Sequence, residues 1–440
     1  MDKCEWNIME KIEPMIMGKE LKERMKVLPD YKESIRKENQ ALRLIKLNNI
    51  HSFYLPSDMS VEIYTKLYLA MVRSLQKKES KLAIQQRNLN AKNMRMCAND
   101  APPSFGGIIG GSDSFSIIGC SGIGKTSAIT KAIQLMGGEN IIEMENPYCK
   151  IIPVISVQCP FDCSAKSMLL AILQKADNAL GTSYYENMVR AKANINTMLI
   201  STAQVLLNHV AVLCIDEIQN LIKHRAGMQL VSMLTELLNE SGISIVFVGT
   251  LEVQPFFESV DYLARRTLGL SYGKCEYNDY FKKFCITLWK FQYVKNETEI
   301  SDGIIHWLYQ HSSGTLAHVI FLFYTSQEIS ILDGREIIDM QALESAYQRM
   351  EMLHMHIQPE ASIKKVVSKR KKSTSKNVIS ETSEKKENIA IEPDFVEEHP
   401  VSKSMDMEWS FVELMKEAKK GNVDMMELLQ GKISITEVVA

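Results

Sequence analysis

Gly119, Cys120, Ser121, Gly122, Ile123, Gly124, Lys125 and Thr126 stand in the order G-x-x-x-x-G-K-S/T. Glycines at these spacings let successive backbone N–H groups turn inward around phosphate oxygens. The lysine then reaches the β and γ phosphates, and the threonine hydroxyl is placed to ligate Mg²⁺. Ser127 opens the segment that follows and completes the set expected to hold ATP. Further along, the apolar run Ala211 to Ile215 ends in Asp216 and Glu217. One carboxylate there can hold Mg²⁺ through water, and its neighbour can orient and polarise an attacking water. Asp216 and Thr126 are therefore the metal candidates, and Glu217 is the catalytic one. The pairing implies a nucleoside triphosphatase that turns ATP into ADP and phosphate.

These groups need a scaffold that brings them to one edge. Phe115 to Ile118 reads as a short buried strand before the glycine loop, and Ser127 to Met136 as an amphipathic helix after it, which gives the loop a helix N-terminus. Further strands are expected near 151–157, 211–215 and 243–248, with helices near 125–136, 164–178, 187–208 and 226–240. Alternation of this kind predicts an α/β fold with a parallel, three-layer αβα core. The strand at 243–248 is followed by Gly249 and Thr250. Thr250 then emerges at the same edge as Asp216 and Glu217, where it can bond the γ phosphate or the water, unless it is only the polar end of a core strand. Arg265 and Arg266 lie at the end of the next helical segment, where a ring-forming ATPase offers arginine to its neighbour's nucleotide. A solvated basic pair is the other reading.

From these elements the chain divides into a helical N-terminal extension over 1–100, a nucleotide-binding α/β unit over 101–272 and a helical lid over 273–360. The remainder is a charged linker over 361–404, expected to be disordered, and a short helical tail over 405–440. In the first of these, His51 to Pro56 is an extended aromatic segment before a helix capped by Ser57 or Asp58. The tail repeats Trp409, Phe411, Val412, Leu414 and Met415 at helical spacing. A unit so small cannot bury that face alone, so it docks either on the protein's own lid or on a partner.

Composition narrows the setting. With 440 residues, 45% of them hydrophobic, the chain can build a large core, and a net charge of −2 confines any nucleic-acid surface to a local patch. Nine scattered cysteines without a C-x-x-C pair favour reduced thiols over a disulfide framework, and Cys159 with Cys163 lacks the partners a zinc site needs. No segment reaches 18 consecutive apolar residues, so no membrane partner is expected.

Several stretches together resemble the TnsC/TniB family of AAA+ transposition regulators. They are the glycine loop, VQCPFDCSAKS at 157–167, ADNALGTSYY at 176–185, IDEIQNL at 215–221, VGT at 248–250, ARR at 264–266 and LWKFQY at 288–293. The resemblance covers about 30–355 and implies an AAA+ P-loop NTPase fold with a C-terminal helical lid. It also implies a cytoplasmic, prokaryotic protein that assembles with ATP as a ring or helical filament on double-stranded DNA. Such a homo-oligomer receives a target-selection protein and recruits a transposase and its companion nuclease. Lys166 and Thr182 fall where related proteins touch the DNA backbone; a helix-start lysine and a loop threonine on a solvated face are the alternative. A helicase loader or initiator-type ATPase is the second functional reading. In the lid, where many AAA+ proteins place an arginine, only His318 is near, and it reads more simply as a lid-contact histidine. Met350 to His356 reads as an apolar helix end, not a metal site.

Overall fold

The computed structural model describes residues 8–85, 114–138, 141–145, 148–258 and 269–357. The expected linker and tail at 361–404 and 405–440, and Arg265 and Arg266, lie outside the described residues.

The central sheet has six strands: β1 (Phe115–Gly119), β2 (Ile142–Glu145), β3 (Tyr148–Gln158), β4 (Val210–Asp216), β5 (Ser244–Gly249) and β6 (Leu270–Tyr272). They lie in the order β2-β3-β4-β5-β1-β6. Five run parallel, and their alternation divides them between two cores. Ile117, Val212, Cys214, Val246 and Val248 face one side, while Ile118, Leu213, Ile215, Ile245 and Phe247 face the other. The second side is covered by α5 (Ala165–Leu180), α7 (Ile195–His209) and α9 (Gly227–Ser241); the short helices α8 (Asn220–Lys223) and α10 (Gln254–Glu258) come after β4 and β5. On the first side lies α4 (Lys125–Leu135), with α1 (Gly18–Met25) and α3 (Asp58–Lys78) beside it.

The wholly parallel sheet expected from sequence is corrected at one edge, where β2 pairs antiparallel with β3. Two residues separate these strands, far too few for a crossover, so only a hairpin is open to them. The single helix expected over 187–208 is two, α6 (Tyr184–Arg190) and α7. Lys192 enters the left-handed region (φ 48°), and the Asn194 side chain then caps α7 by accepting the Thr197 N–H at 2.8 Å.

The lid comprises α11 (Asp279–Trp289), α12 (Asp302–Ser312), α13 (Leu316–Leu332) and α14 (Met340–Ile357). Among the described residues no single helix is long and apolar enough to cross a membrane.

Residues 8–85 are not an appendage. Leu21 and Met25 of α1 and Ile63, Tyr64, Leu67 and Met71 of α3 belong to the sheet's core. Between those helices, α2 (Gln40–Leu47) and the turn after it place Leu47, Ile50, Phe53 and Leu55 in the lid's core with Phe281, Phe284 and Leu288. Arg43, 1% exposed, seals this attachment through a two-pronged ion pair with Glu336 at 2.5 Å and a bond to the Tyr293 carbonyl at 3.1 Å. The chain returns to the sheet through Phe53 to Ser57, where Val27 and Tyr54 exchange backbone hydrogen bonds at 2.9 and 2.8 Å.

Candidate nucleotide site

The glycine loop leaves β1 and enters α4 with Gly122 and Gly124 at φ 74° and 96°. Residues with a Cβ are strained there, so glycine at both positions is what lets the loop curl without steric cost. Lys125, largely buried, sends its ammonium to the carbonyls of Gly119 and Cys120, both at 2.8 Å. Burial holds that ammonium below the usual lysine range, opposed by the charge of Asp216 and, less strongly, by Cys120 and Glu217. A polyphosphate in this cradle would meet a charge held at the loop's base.

At the end of β4, Asp216 is half-buried and accepts the Thr126 hydroxyl on Oδ2 at 3.1 Å and the Glu217 N–H on Oδ1 at 2.8 Å. Thr126 and Asp216 thus form a pair of oxygen donors of the kind Mg²⁺ takes. Glu217 turns the chain sharply with φ 59°, which lifts its exposed carboxylate off the strand end. That carboxylate accepts a hydrogen bond from the Gln219 side-chain amide.

Ser121 to Ser127, Asp216, Glu217, Gln219, Gly249 and Thr250 line one cavity of about 350 Å³. Gly119 and Cys120 form the loop's root beneath it. Two polar atoms in the lining, Thr250 Oγ1 and Gln219 Oε1, are buried without a hydrogen-bond partner. Orphaned groups of this kind are costly unless a ligand or water completes them. The donor set therefore fits a Mg²⁺-bound triphosphate and its attacking water.

Sequence reasoning overlooked the cavity's other walls. From the returning N-terminal segment come His51, Phe53, Tyr54, Leu55 and Met59, and from the lid Tyr280, Phe284, Leu316, Ala317 and Ile320. This apolar, aromatic half suits a flat heterocycle such as a nucleobase. Tyr54 is fixed by a 2.7 Å bond with Ser60, and its phenol is pushed up to about 12, chiefly by burial. The Tyr280 hydroxyl donates to the Leu55 carbonyl at 2.7 Å. The extended aromatic run was visible in the sequence; Gln219 carried no signal beyond its nearness to Glu217.

His318 lies on the first turn of α13, half-buried and within the lid. Lys166 and Thr182 sit away from the cavity, both exposed. Lys166 is on the first turn of α5. Thr182 donates its hydroxyl to Asp177 at 2.6 Å, and Asp177 also accepts the N–H groups of Tyr184 and Tyr185. Thr182 thus has a local structural task.

Residues 110–257 match the family model described as AAA domain. No curated protein matches the chain. Among solved structures, the chain is similar to the Aeropyrum pernix ORC1 protein, solved in complex with DNA, at 15% identity and TM-score 0.41, over 61% of this chain and 64% of that one. It therefore spans less than two thirds of that protein. The Pyrococcus abyssi Walker-type ATPase aligns at 13% identity and TM-score 0.39, over 62% and 73%. CDC6P from Pyrobaculum aerophilum does so at 12% and 0.40, over 62% and 68%. With the glycine loop, the strand order and the helical region after the sheet, the family match shows that this chain carries an AAA+ ATPase domain in the P-loop NTPase fold.

Proposed function

We propose that the protein is an ATP-dependent regulator of DNA transposition, which assembles on target DNA as a ring or filament and links a target-selection protein to a transposase. The observation that carries the ATPase part is the convergence of Lys125, Thr126, Asp216, Glu217 and the orphaned Thr250 hydroxyl on one cavity. Lys125 and the loop N–H groups bind and orient the polyphosphate. Thr126 and Asp216 would hold Mg²⁺, which neutralises charge developing on the phosphate oxygens. Glu217 accepts the proton of the attacking water, and Thr250 with Gln219 fixes that water's direction. Arg265 or Arg266 of a neighbouring copy completes the site, which ties turnover to assembly.

The transposition part is supported by the resemblance of seven stretches to TnsC/TniB proteins and by exposed Lys166 on the sheet's carboxyl-end side. Imaging the purified chain with duplex DNA and a non-hydrolysable ATP analogue tests it. Rings or filaments on DNA, formed only with nucleotide, are expected. Nucleotide-bound chains that ignore DNA would overturn the reading, and capture of a replicative helicase in preference to a transposase would move it to a loader or initiator role.

A further inference from the structure

Two loops at the carboxyl end of the sheet form a lip beside the catalytic carboxylates. The first, Cys159 to Cys163, follows β3; the second, Asn220 to Ala226, follows β4 and comprises the short helix α8 (Asn220–Lys223) and the turn after it. They are joined at two places. The Asn220 side-chain amide donates to the Cys159 carbonyl at 3.1 Å, and the Phe161 and His224 rings meet edge-on at 6.4 Å.

The lip's composition runs against its position. Phe161 is 77% exposed, more than any other large hydrophobic residue among the described residues. A single exposed ring is ordinary on a protein surface, but this one packs edge-on against His224 in the midst of a cluster of cations. Around it, Lys223, His224 and Arg225 are exposed in sequence, and Lys166 is exposed on the first turn of α5. None of Lys166, Lys223 and Arg225 is in an ion pair among the described residues. The nearby carboxylate, Asp162, accepts the Ser164 N–H at 3.1 Å at the start of α5. Unpaired cations flanking an exposed ring match a ligand that offers both phosphates and flat rings.

We propose that this lip is a nucleic-acid contact surface, with Lys223 and Arg225 on backbone phosphates and Phe161 stacked on a base or sugar face. The inference rests on the DNA reading above and specifies where the strand lies. It also gives that strand a path to the chemistry. Asn220 is tied to Cys159 and stands next to Gln219, whose amide holds Glu217. A strand pressing on the lip bears on the loop that carries the general base.

The test uses the full chain with a non-hydrolysable ATP analogue and labelled DNA, as a duplex and as one of its single strands, titrated by fluorescence anisotropy over a range of salt. Each phosphate contact contributes about 0.9 to the logarithmic salt slope on duplex. Lys223→Ala/Arg225→Ala should therefore flatten that slope by roughly two. Phe161→Ala should leave the slope unchanged and weaken single-strand binding roughly tenfold, more than duplex binding, because unpaired bases offer open faces for stacking. Both variants should bind nucleotide and unfold as the wild type does, since the side chains are exposed. If the wild type binds DNA and both variants match it in slope and affinity, the lip is overturned while the DNA reading stands. A wild type that binds neither form overturns the DNA reading itself. Variants that alter self-association without DNA, yet keep the wild-type salt slope, would show a protein contact and also overturn the proposal.

Discussion

The Ala317 N–H donates to the carbonyl of Gly122 at 3.0 Å, joining the first turn of lid helix α13 to the middle of the phosphate loop. A Cβ on Gly122 would lie 2.8 Å from Thr315 Cγ2 and 3.1 Å from Ala317 Cβ. Loop and lid are therefore in direct contact, and His318, one residue on, need not be the connection. This link is separable from the helix itself. Proline is tolerated in a helix's first turn, where its missing N–H has no intrahelical partner. Ala317→Pro should keep α13 and weaken binding of an ATP analogue about fivefold, the worth of one hydrogen bond. Gly122→Ala, strained by both φ and crowding, should weaken it further. Calorimetric titration measures both, and unchanged affinity in the proline variant would disconnect the lid from nucleotide binding.

Lys125 and Glu217 should fail differently. Lys125→Ala removes the charge at the base of the cradle and should weaken ATP binding roughly 10- to 100-fold, taking DNA assembly with it. Glu217→Gln should bind ATP as the wild type does and slow turnover roughly 100-fold or more, leaving ATP-bound assemblies that persist. A filter-binding assay alongside phosphate release separates the two. Wild-type hydrolysis by Glu217→Gln would remove it from the role of base.

Turnover should also need neighbours. With Arg265 and Arg266 both replaced by Ala, the chain should lose about 1,000-fold in rate. Mixing it with Lys125→Ala chains should restore part of the activity, because some interfaces then pair an intact cradle with an intact arginine. Two inactive proteins that co-assemble and stay inactive would rule out a finger in trans.

The Arg43–Glu336 pair sets an acid limit on the lid attachment. Burial works to raise the Glu336 carboxyl, but the hydrogen bond and charge of Arg43, with help from Lys295, outweigh it and hold the group below the ordinary 4.5. A depressed carboxylate contributes stability that is complete above its unfolded value and lost as pH falls through its folded one. Chemical denaturation should thus show stability declining from pH 4.5 downward. Glu336→Gln, which strands a buried guanidinium, should cost about 3–5 kcal/mol at neutral pH, whereas Arg43→Met/Glu336→Leu should recover most of it. Equal losses in single and double variants would contradict this account.

Spacing was enough to nominate the loop and the Asp216–Glu217 pair, because phosphate binding fixes residue types at short sequence distance. Strands β1, β3, β4 and β5 were legible for a related reason: buried parallel strands read as continuous apolar runs. Three-residue β6 and the polar edge strand β2 give no such signal. The break before α7 falls among alanines and a lysine, which favour helix, and only the Asn194 cap reveals it. The nucleobase half of the cavity was hidden for a different reason. His51 to Met59 and the lid meet only after the chain has passed through the entire sheet, so no local pattern records their meeting.

That same return dictates an order of events in folding. The Tyr31 hydroxyl donates to the Gln292 carbonyl, 261 residues away, and Arg43 meets Glu336 across 293. On the ribosome, α2 must wait for most of the chain before its apolar face has anywhere to go. Loop-closure entropy on that scale makes docking of α2 a late step, after the sheet has condensed around α1 and α3. The last part of the molecule to close is then the wall of its own nucleotide cavity.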